Sequence, residues 1–268
     1  MMREVGPARG VLAPATGVGA FQHARLAPSS GLEDIVQHYW SVRWDLRGHA
    51  PQRRETLPHP NVHLVIERGR SAVWGVHTRR FETTLAGCGE VFGVKFRVGG
   101  FRVLFGAPVS RLRDRSLALG EAFGADGARV EEEVLSADTD TRRIEVLERL
   151  LHRHASMPGD DARLAASIVD AIAADPSIVR VEDVLARWPM HRRALQRLFN
   201  DQVGVGPKWG IQRFRLHEAL ERIATAREMD WTGLAHELGY FDQAHFIRDF
   251  KAMVGEVPTD YLRRDRLP

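Results

Sequence analysis

The sequence predicts an α+β chain: a β-rich first half with flanking helices, then an all-helical block in which a two-helix unit is used twice. Three observations predict it. Residues from about 20 to 115 carry short apolar runs separated by Gly and Pro, the signature of an antiparallel β domain. Beyond Leu117 the apolar residues recur at helical spacing. Finally, residues 195–207 match residues 246–258 in register, at an offset of 51.

Taking the elements in order, residues 1–19 contain no continuous apolar stretch and are expected to be poorly ordered, without a signal peptide. Leu32 to Tyr39 reads as a short helix feeding a strand through Trp44. Asn61–Ile66, Ser71–Val76 and Glu90–Phe96 read as strands, with Glu67–Arg70 and Gly87–Gly89 as turns. This region is expected to form a small barrel or cupin-like domain over 20–154. It ends in two helices, Asp126–Leu135 and Thr139–His154; Ile144, Leu147, Leu150 and Leu151 form the buried stripe of the second. Ala155–Asp160 reads as a linker, and 161–268 as a separate helical domain.

In the duplicated unit, Leu195, Leu198 and Phe199 share one face of a helix from Arg192 to Val203, as Phe246, Asp249 and Phe250 do in the second copy. Gly204 and Gly255 stand where a helix stops, and Pro207 and Pro258 where the next opens. Asp242 is a good N-cap. Each helix follows a shorter one, Val181–Trp188 and Trp231–Leu238. Helix, tight turn, helix with an exposed Arg/Gln face is the layout of a helix-turn-helix. Arg192, Arg193, Gln196 and Arg197 on the first copy, and Gln243, His245, Ile247 and Arg248 on the second, are left for a partner, with Lys208 and Lys251 as phosphate contacts. Arg reaches guanine, Gln reaches adenine, and either reaches phosphate. Between the copies, Pro207 to about Ala226 reads as one long helix, a spacer of roughly 28 Å.

Bulk charge does not locate this partner surface. The net charge is +3 and the pI about 9.4, yet residues 160–268 hold 16 Lys and Arg against 17 Asp and Glu. The composition, 44% apolar and 27% charged, is that of an ordinary globular protein. A single cysteine, Cys88, excludes an internal disulfide and points to a cytoplasmic setting. No run reaches the length of a membrane span, and no Gly-x-Ser-x-Gly elbow supports a hydrolase.

Residues 163–266 resemble the DNA-binding domain of the AraC/XylS-type transcription regulators. The motifs are Arg193-Ala-Leu-Gln-Arg-Leu-Phe199, Gly204-Val-Gly-Pro207, Arg213-Phe-Arg-Leu216, the stretch from Leu234 through Gly239-Tyr-Phe-Asp242 to Lys251, and Gly255-Glu-Val-Pro-Thr-Asp-Tyr261. The resemblance implies a seven-helix fold whose two recognition helices read the major groove of double-stranded DNA, with RNA polymerase as a further partner, and an activator rather than an enzyme. The first copy departs from the family pattern. Leu185 stands where a small residue is usual, Trp188 and Pro189 where Ala and Gly are common, and His191 where a Ser cap is usual. Pro cannot take the positive φ of Gly, so this turn is expected to be built differently. The first half resembles a β-rich module known within the same family, through Leu57-Pro-His-Pro-Asn-Val-His-Leu-Val65 and Phe92-Gly-Val-Lys-Phe-Arg-Val-Gly-Gly-Phe101. That resemblance carries architecture and no ligand.

The first half is expected to sense a small-molecule effector or to mediate homodimerisation. Trp40, Trp44, His59, His63 and Trp74 are its candidate pocket residues, although core packing is the commoner role of such tryptophans. The alternative is a cupin-like metal-dependent enzyme domain fused to an accessory helical one. It would use His59 and His63 on one strand face, with His77, Cys88 and a carboxylate such as Glu55 or Glu67. No ligand spacing supports that site, so no metal or cofactor is expected.

Overall fold

A computed structural model describes residues 19–226 and 228–264. The expectation of poor order over 1–19 therefore lies, Gly19 apart, outside the described residues. The first half holds strands β1 (Ala20–Leu26), β2 (Val36–Asp45), β3 (Gln52–Thr56), β4 (His63–Ile66), β5 (Ala72–Trp74), β6 (Phe81–Leu85), β7 (Cys88–Phe96) and β8 (Ser116–Ala118). Six of them form an open antiparallel sheet in the order β1-β2-β7-β4-β5-β8, and β3 and β6 form a separate two-stranded ribbon. The strands thus make a sheet and a ribbon in place of one closed barrel.

The expected helix over Leu32–Tyr39 is a turn leading into β2. The amides of Ile35 and Val36 donate to Leu32 O at 3.0 and 2.7 Å, and the strand begins at Val36. The misleading feature was the helical spacing of Leu32, Ile35, Val36 and Tyr39, all buried. A register shift between Val36 and His38 explains it: a bulge adds one residue and turns the strand period of two into three, so that Val36 and Tyr39 face the same core.

The two faces of the sheet differ. Tyr39, Leu64, Ile66, Val73, Phe92 and Val94 point into one core with Val130, Val134, Ile144, Leu147 and Leu151. These last come from α3 (Ala125–Ser136) and α4 (Asp140–His154), within about a residue of the helices expected. Asp140 ties the helix to the sheet, accepting from Ser41 Oγ at 2.9 Å and pairing with Arg43. On the opposite face the tryptophans of β2 meet glycines of β7: Trp40 pairs with Gly93 and Trp44 with Gly89. A Cβ on either glycine would run into the facing indole, so the four-residue spacing of Trp on one strand requires the same spacing of Gly on the next.

Between the sheet and α3 lie the short helices α1 (Arg102–Phe105) and α2 (Leu119–Phe123) and a 3-10 turn at Val109–Leu112. After α4, residues 155–159 run without regular structure into seven helices: α5 (Asp160–Ala174), α6 (Val181–Arg187), α7 (Arg192–Gln202), α8 (Pro207–Thr225), α9 (Trp231–Glu237), α10 (Gln243–Val254) and α11 (Pro258–Arg264). The duplication is structural. α7 and α10 both begin at the 51-residue offset, and so do α8 and α11. Gly204 (φ +95°) and Gly255 (φ +94°) take the same left-handed conformation after them.

Each half of the helical block has its own core. Ile168, Val184, Leu195, Phe199 and Ile211 form the first, and Leu216, Leu220, Leu234, Phe246 and Phe250 the second. The β domain reaches into both: Val76 and Val98 join the first core and Leu57 the second.

Candidate nucleic-acid interface

The candidate partner-facing surface lies on α7 and α10. On α7, burial of Leu195, Leu198 and Phe199 leaves Arg192, Arg193, Gln196 and Arg197 exposed. Arg192 pairs with Glu182 of α6, and Gln196 Nε2 donates to Asn200 Oδ1 at 3.3 Å. Arg193 and Arg197 make no hydrogen bond or ion pair among the described residues. On α10, burial of Phe246, Phe250 and Met253 leaves Ala244, Arg248 and Lys251 exposed. Arg248, Lys251 and Lys208, the last in the first turn of α8, are likewise unpaired among the described residues. These five cations are free for phosphate or base edges.

The remaining predicted contacts are committed inside the protein to different degrees. Gln243 accepts from Thr232 Oγ1 of α9 at 3.1 Å. His245 lies edge-on to Tyr240, with ring centroids 5.2 Å apart, and its Nε2 is 3.5 Å from Asp249 Oδ2. Ile247 packs half-buried on the second core. Sequence reasoning passed over Ala244 because its methyl has no polar chemistry, although it shares the exposed stripe with Arg248 and Lys251 and matches Arg193 of the first copy.

The two units are unequal, as the departures around Pro189 imply. Trp188 N donates to Val184 O at 2.9 Å, as Leu238 N does to Leu234 O at 3.0 Å. Aligned this way, the leading helices stand 50 residues apart while α7 and α10 stand 51 apart, so the first turn is one residue shorter. Gly239 takes φ +80° in the second turn. The first turn has no left-handed residue; Trp188 leaves its helix in extended backbone, φ −121°. Capping differs in the same direction. Asp242 Oδ1 accepts from His245 N at 2.7 Å, whereas the His191 side chain makes no cap.

The β domain grips the C-terminal ends of both α7 and α10. At α7, Gly99 N donates to Gln202 O at 3.1 Å, Arg102 pairs with Asp201 at 3.0 Å, and Arg113 Nε donates to Gly204 O at 2.9 Å. At α10, Arg80 Nη1 donates to Val254 O at 2.8 Å. Cations suit these ends, where unpaired carbonyls and the helix dipole leave partial negative charge. Nothing in the spacing of these isolated arginines signals this role. The arginines of the Arg213-Phe-Arg-Leu216 motif are also internal. Arg213 Nε donates to Pro58 O, and Arg215 Nη2 to Ile172 O at 2.6 Å.

The candidate pocket residues of the β domain separate into groups. His63 pairs with Trp74 across β4 and β5 and lies 6.2 Å from Trp40 between ring centroids. Trp44 is turned to the end of the sheet, where Nε1 donates to Ala86 O at 3.2 Å. His59 precedes β4 and stacks on His217 of α8 at 4.9 Å, which corrects the expectation that His59 and His63 share a strand face. Cys88 is exposed at the start of β7, and no group of three His, Cys, Asp or Glu is placed to hold a metal among the described residues. No described helix is long and apolar enough to cross a membrane.

Two family descriptions match separate stretches of the chain. Residues 24–118 match a family described as a domain of unknown function (DUF6597), and residues 185–264 match one described as a helix-turn-helix domain. No curated protein matches the chain in sequence. Similar solved structures include ToxT from Vibrio cholerae, 13% identical, covering 91% of this chain and 98% of that one with a TM-score of 0.38. Another is the unsaturated fatty acid bound wild-type ToxT of Vibrio cholerae strain SCE256, 11% identical, covering 93% and 97% with a TM-score of 0.36. At these scores the likeness carries no argument about ligand or mechanism. The helix-turn-helix match falls on α7 and α10 with their exposed cations, and the chain carries a C-terminal helix-turn-helix domain with a DUF6597 domain ahead of it.

Proposed function

We propose that the chain controls transcription by laying α7 and α10 on promoter DNA, with the β domain as the controlling part. One observation carries this reading: among the described residues Arg193, Arg197, Lys208, Arg248 and Lys251 are exposed and unpaired on the two duplicated units and the helix joining them. The 19-residue α8 extends roughly 28 Å, a span suited to recognition helices in successive major grooves about 34 Å apart. Arg248 and Arg197 are the proposed base readers, with Gln243, Gln196 and Ala244 beside them. Arg193, Lys208 and Lys251 hold phosphates. The second unit, with its regular turn and capped helix, makes the more specific contacts. RNA polymerase and a second copy of the chain are the proposed protein partners, and a small molecule bound to the β domain the proposed signal. Because that domain holds the ends of both recognition helices, a shift in it alters their relative placement. Selection of bound duplexes from a random pool at two salt concentrations tests the proposal. A conserved motif, bound with an affinity that falls steeply with salt, is expected. Enrichment of no motif at either concentration would refute it.

A further inference from the structure

The turn of the second helix-turn-helix leaves an aromatic ring in solvent. Phe241 is 86% exposed, the most exposed large apolar side chain among the described residues. Its place in the chain makes that exposure unexpected. Asp242 caps α10, its Oδ1 accepting from His245 N at 2.7 Å, so Phe241 stands immediately before the N-cap. An apolar residue there ordinarily folds back onto the fourth helical residue, here Phe246, and fixes how the chain enters the helix. In this turn Tyr240 fills that place. Tyr240 is buried, its amide donates to Ala235 O at 2.9 Å, and its ring lies edge-on to Phe246 with centroids 5.4 Å apart. Phe246 is already fully buried, so the core has no use for the Phe241 ring.

The first copy of the unit supplies the comparison. At the 51-residue offset Phe241 corresponds to Met190 and Tyr240 to Pro189. Pro189 is exposed, and Met190 packs half-buried on the first core. The same position therefore points inward in one unit and outward in the other.

A single apolar side chain in water is commonplace. What distinguishes Phe241 is its company. It lies at the N-terminal end of α10, next to Gln243 and at the head of the exposed stripe of Ala244, Arg248 and Lys251. Neither cation of that stripe is paired with an acid among the described residues. An apolar ring bordered by free cations suits a polyanion that also offers an apolar group within reach. Duplex DNA has that combination: phosphates line the groove, and the thymine C5 methyl is the apolar group on the major-groove edge of the bases. The N-terminal residues of a recognition helix are the ones that meet base edges.

We propose that Phe241 is a specificity-determining residue of the second unit, its ring packing on a thymine methyl in the major groove beside the contacts of Gln243 and Arg248. This contact presupposes the DNA-binding reading above and adds to it an apolar readout that hydrogen bonding does not supply. The first unit has no equivalent, since Met190 is committed to the core.

The test uses the full chain and the tightest duplex selected from the random pool, with each thymine replaced in turn by uracil, which removes only the methyl. In the wild type, replacement at one position, or at two neighbouring ones, is expected to weaken binding about three- to fivefold, the transfer value of a single methyl group. Phe241→Ala should weaken binding to the thymine duplex about tenfold and bind the thymine and uracil forms equally at that position. Phe241→Leu, which restores part of the apolar surface, should restore part of the discrimination. Because the ring is solvated, Phe241→Ala should melt within about two degrees of wild type. Met190→Ala should melt lower and leave the uracil profile unchanged. A wild-type profile insensitive to uracil at every position, or one that Phe241→Ala reproduces, would overturn the proposal and leave the ring to a protein partner. A large drop in the melting temperature of Phe241→Ala would also overturn it, by showing that the ring serves the fold. Failure to select any duplex is a different result: it removes the DNA-binding reading, and this contact with it.

Discussion

Lys95 gives a prediction whose sign and size follow from its surroundings. Burial, then the charges of Arg25 and Arg213, bring its pKa from 10.5 to about 7 in the folded chain, while the unfolded chain keeps the ordinary value. Between those two values the unfolded state binds more protons than the folded one, so stability must rise with pH. The penalty for the charged amine is fully present below pH 7 and fades as pH climbs toward 10.5. Each full unit of pH contributes about 1.4 kcal/mol, and the half-titrated start at pH 7 reduces the first step, so the rise between pH 7 and pH 9 is on the order of 2 kcal/mol. For a chain of this size that corresponds to roughly 4–8 °C in melting temperature. The perturbation is Lys95→Met, which keeps the volume and removes the titrating group. Urea melts followed by tryptophan fluorescence at pH 7, 8 and 9 provide the measurement. Wild type should gain stability across the series, while Lys95→Met should start higher and stay nearly flat. An equal rise in both proteins would show that Lys95 is not the group responsible and would refute the account of a charged amine held without a partner.

Further expectations concern the interface. Arg248→Ala should weaken specific DNA binding by about 1–3 kcal/mol and relax preference at one base position if the side chain grips guanine; binding assays on a site and its single-base variants read this, and unchanged affinity and preference would remove it from the readout. Gly204 has φ +95° and a Cβ there would lie 2.9 Å from Val109 Cγ1, so Gly204→Ala should cost about 1–3 kcal/mol in urea melts, with a loss under half of that counting against a strained turn. Asp242→Ala removes the cap of α10 and should cost about 1 kcal/mol, whereas His191→Ala at the equivalent place in α7, where no cap bond is made, should cost little; equal losses would contradict the inequality of the two units. Arg80→Ala should speed amide exchange in the last turn of α10 and leave α7 protected, because Arg80 hydrogen-bonds to Val254 O of the former.

Much of this architecture was legible in the sequence, for reasons that can be named. A helix that repeats leaves paired marks, and Gly204 with Gly255 and Pro207 with Pro258 mark stop and start at one fixed offset. The β region was less readable because one inserted residue in β2 gave a strand the spacing of a helix, and because β3 and β6, with their charged and threonine residues, carry little apolar pattern. Within the interface, chemistry predicted which side chains could contact DNA but not which were already engaged. Among the described residues Arg193 and Arg248 are free, while Gln243 and His245 have partners within their own unit. The grip of Arg80, Arg102 and Arg113 on the helix ends arises from long-range packing, which local spacing does not encode. The same holds for Lys95 and Arg213, far apart in sequence and ordinary in composition, which are buried and pair with no acid among the described residues.

Val76 and Val98 complete one helix-turn-helix core, and Leu57 completes the other. The helical block is therefore no interchangeable cassette. Grafted behind a foreign sensor it would inherit two apolar sockets with nothing to fill them, and the loss would fall on the two units that must hold their shape to read a sequence. A working chimera would have to carry the loops bearing these three residues along with the helices, so the functional seam of this protein runs through its β domain and not along the linker at residues 155–159.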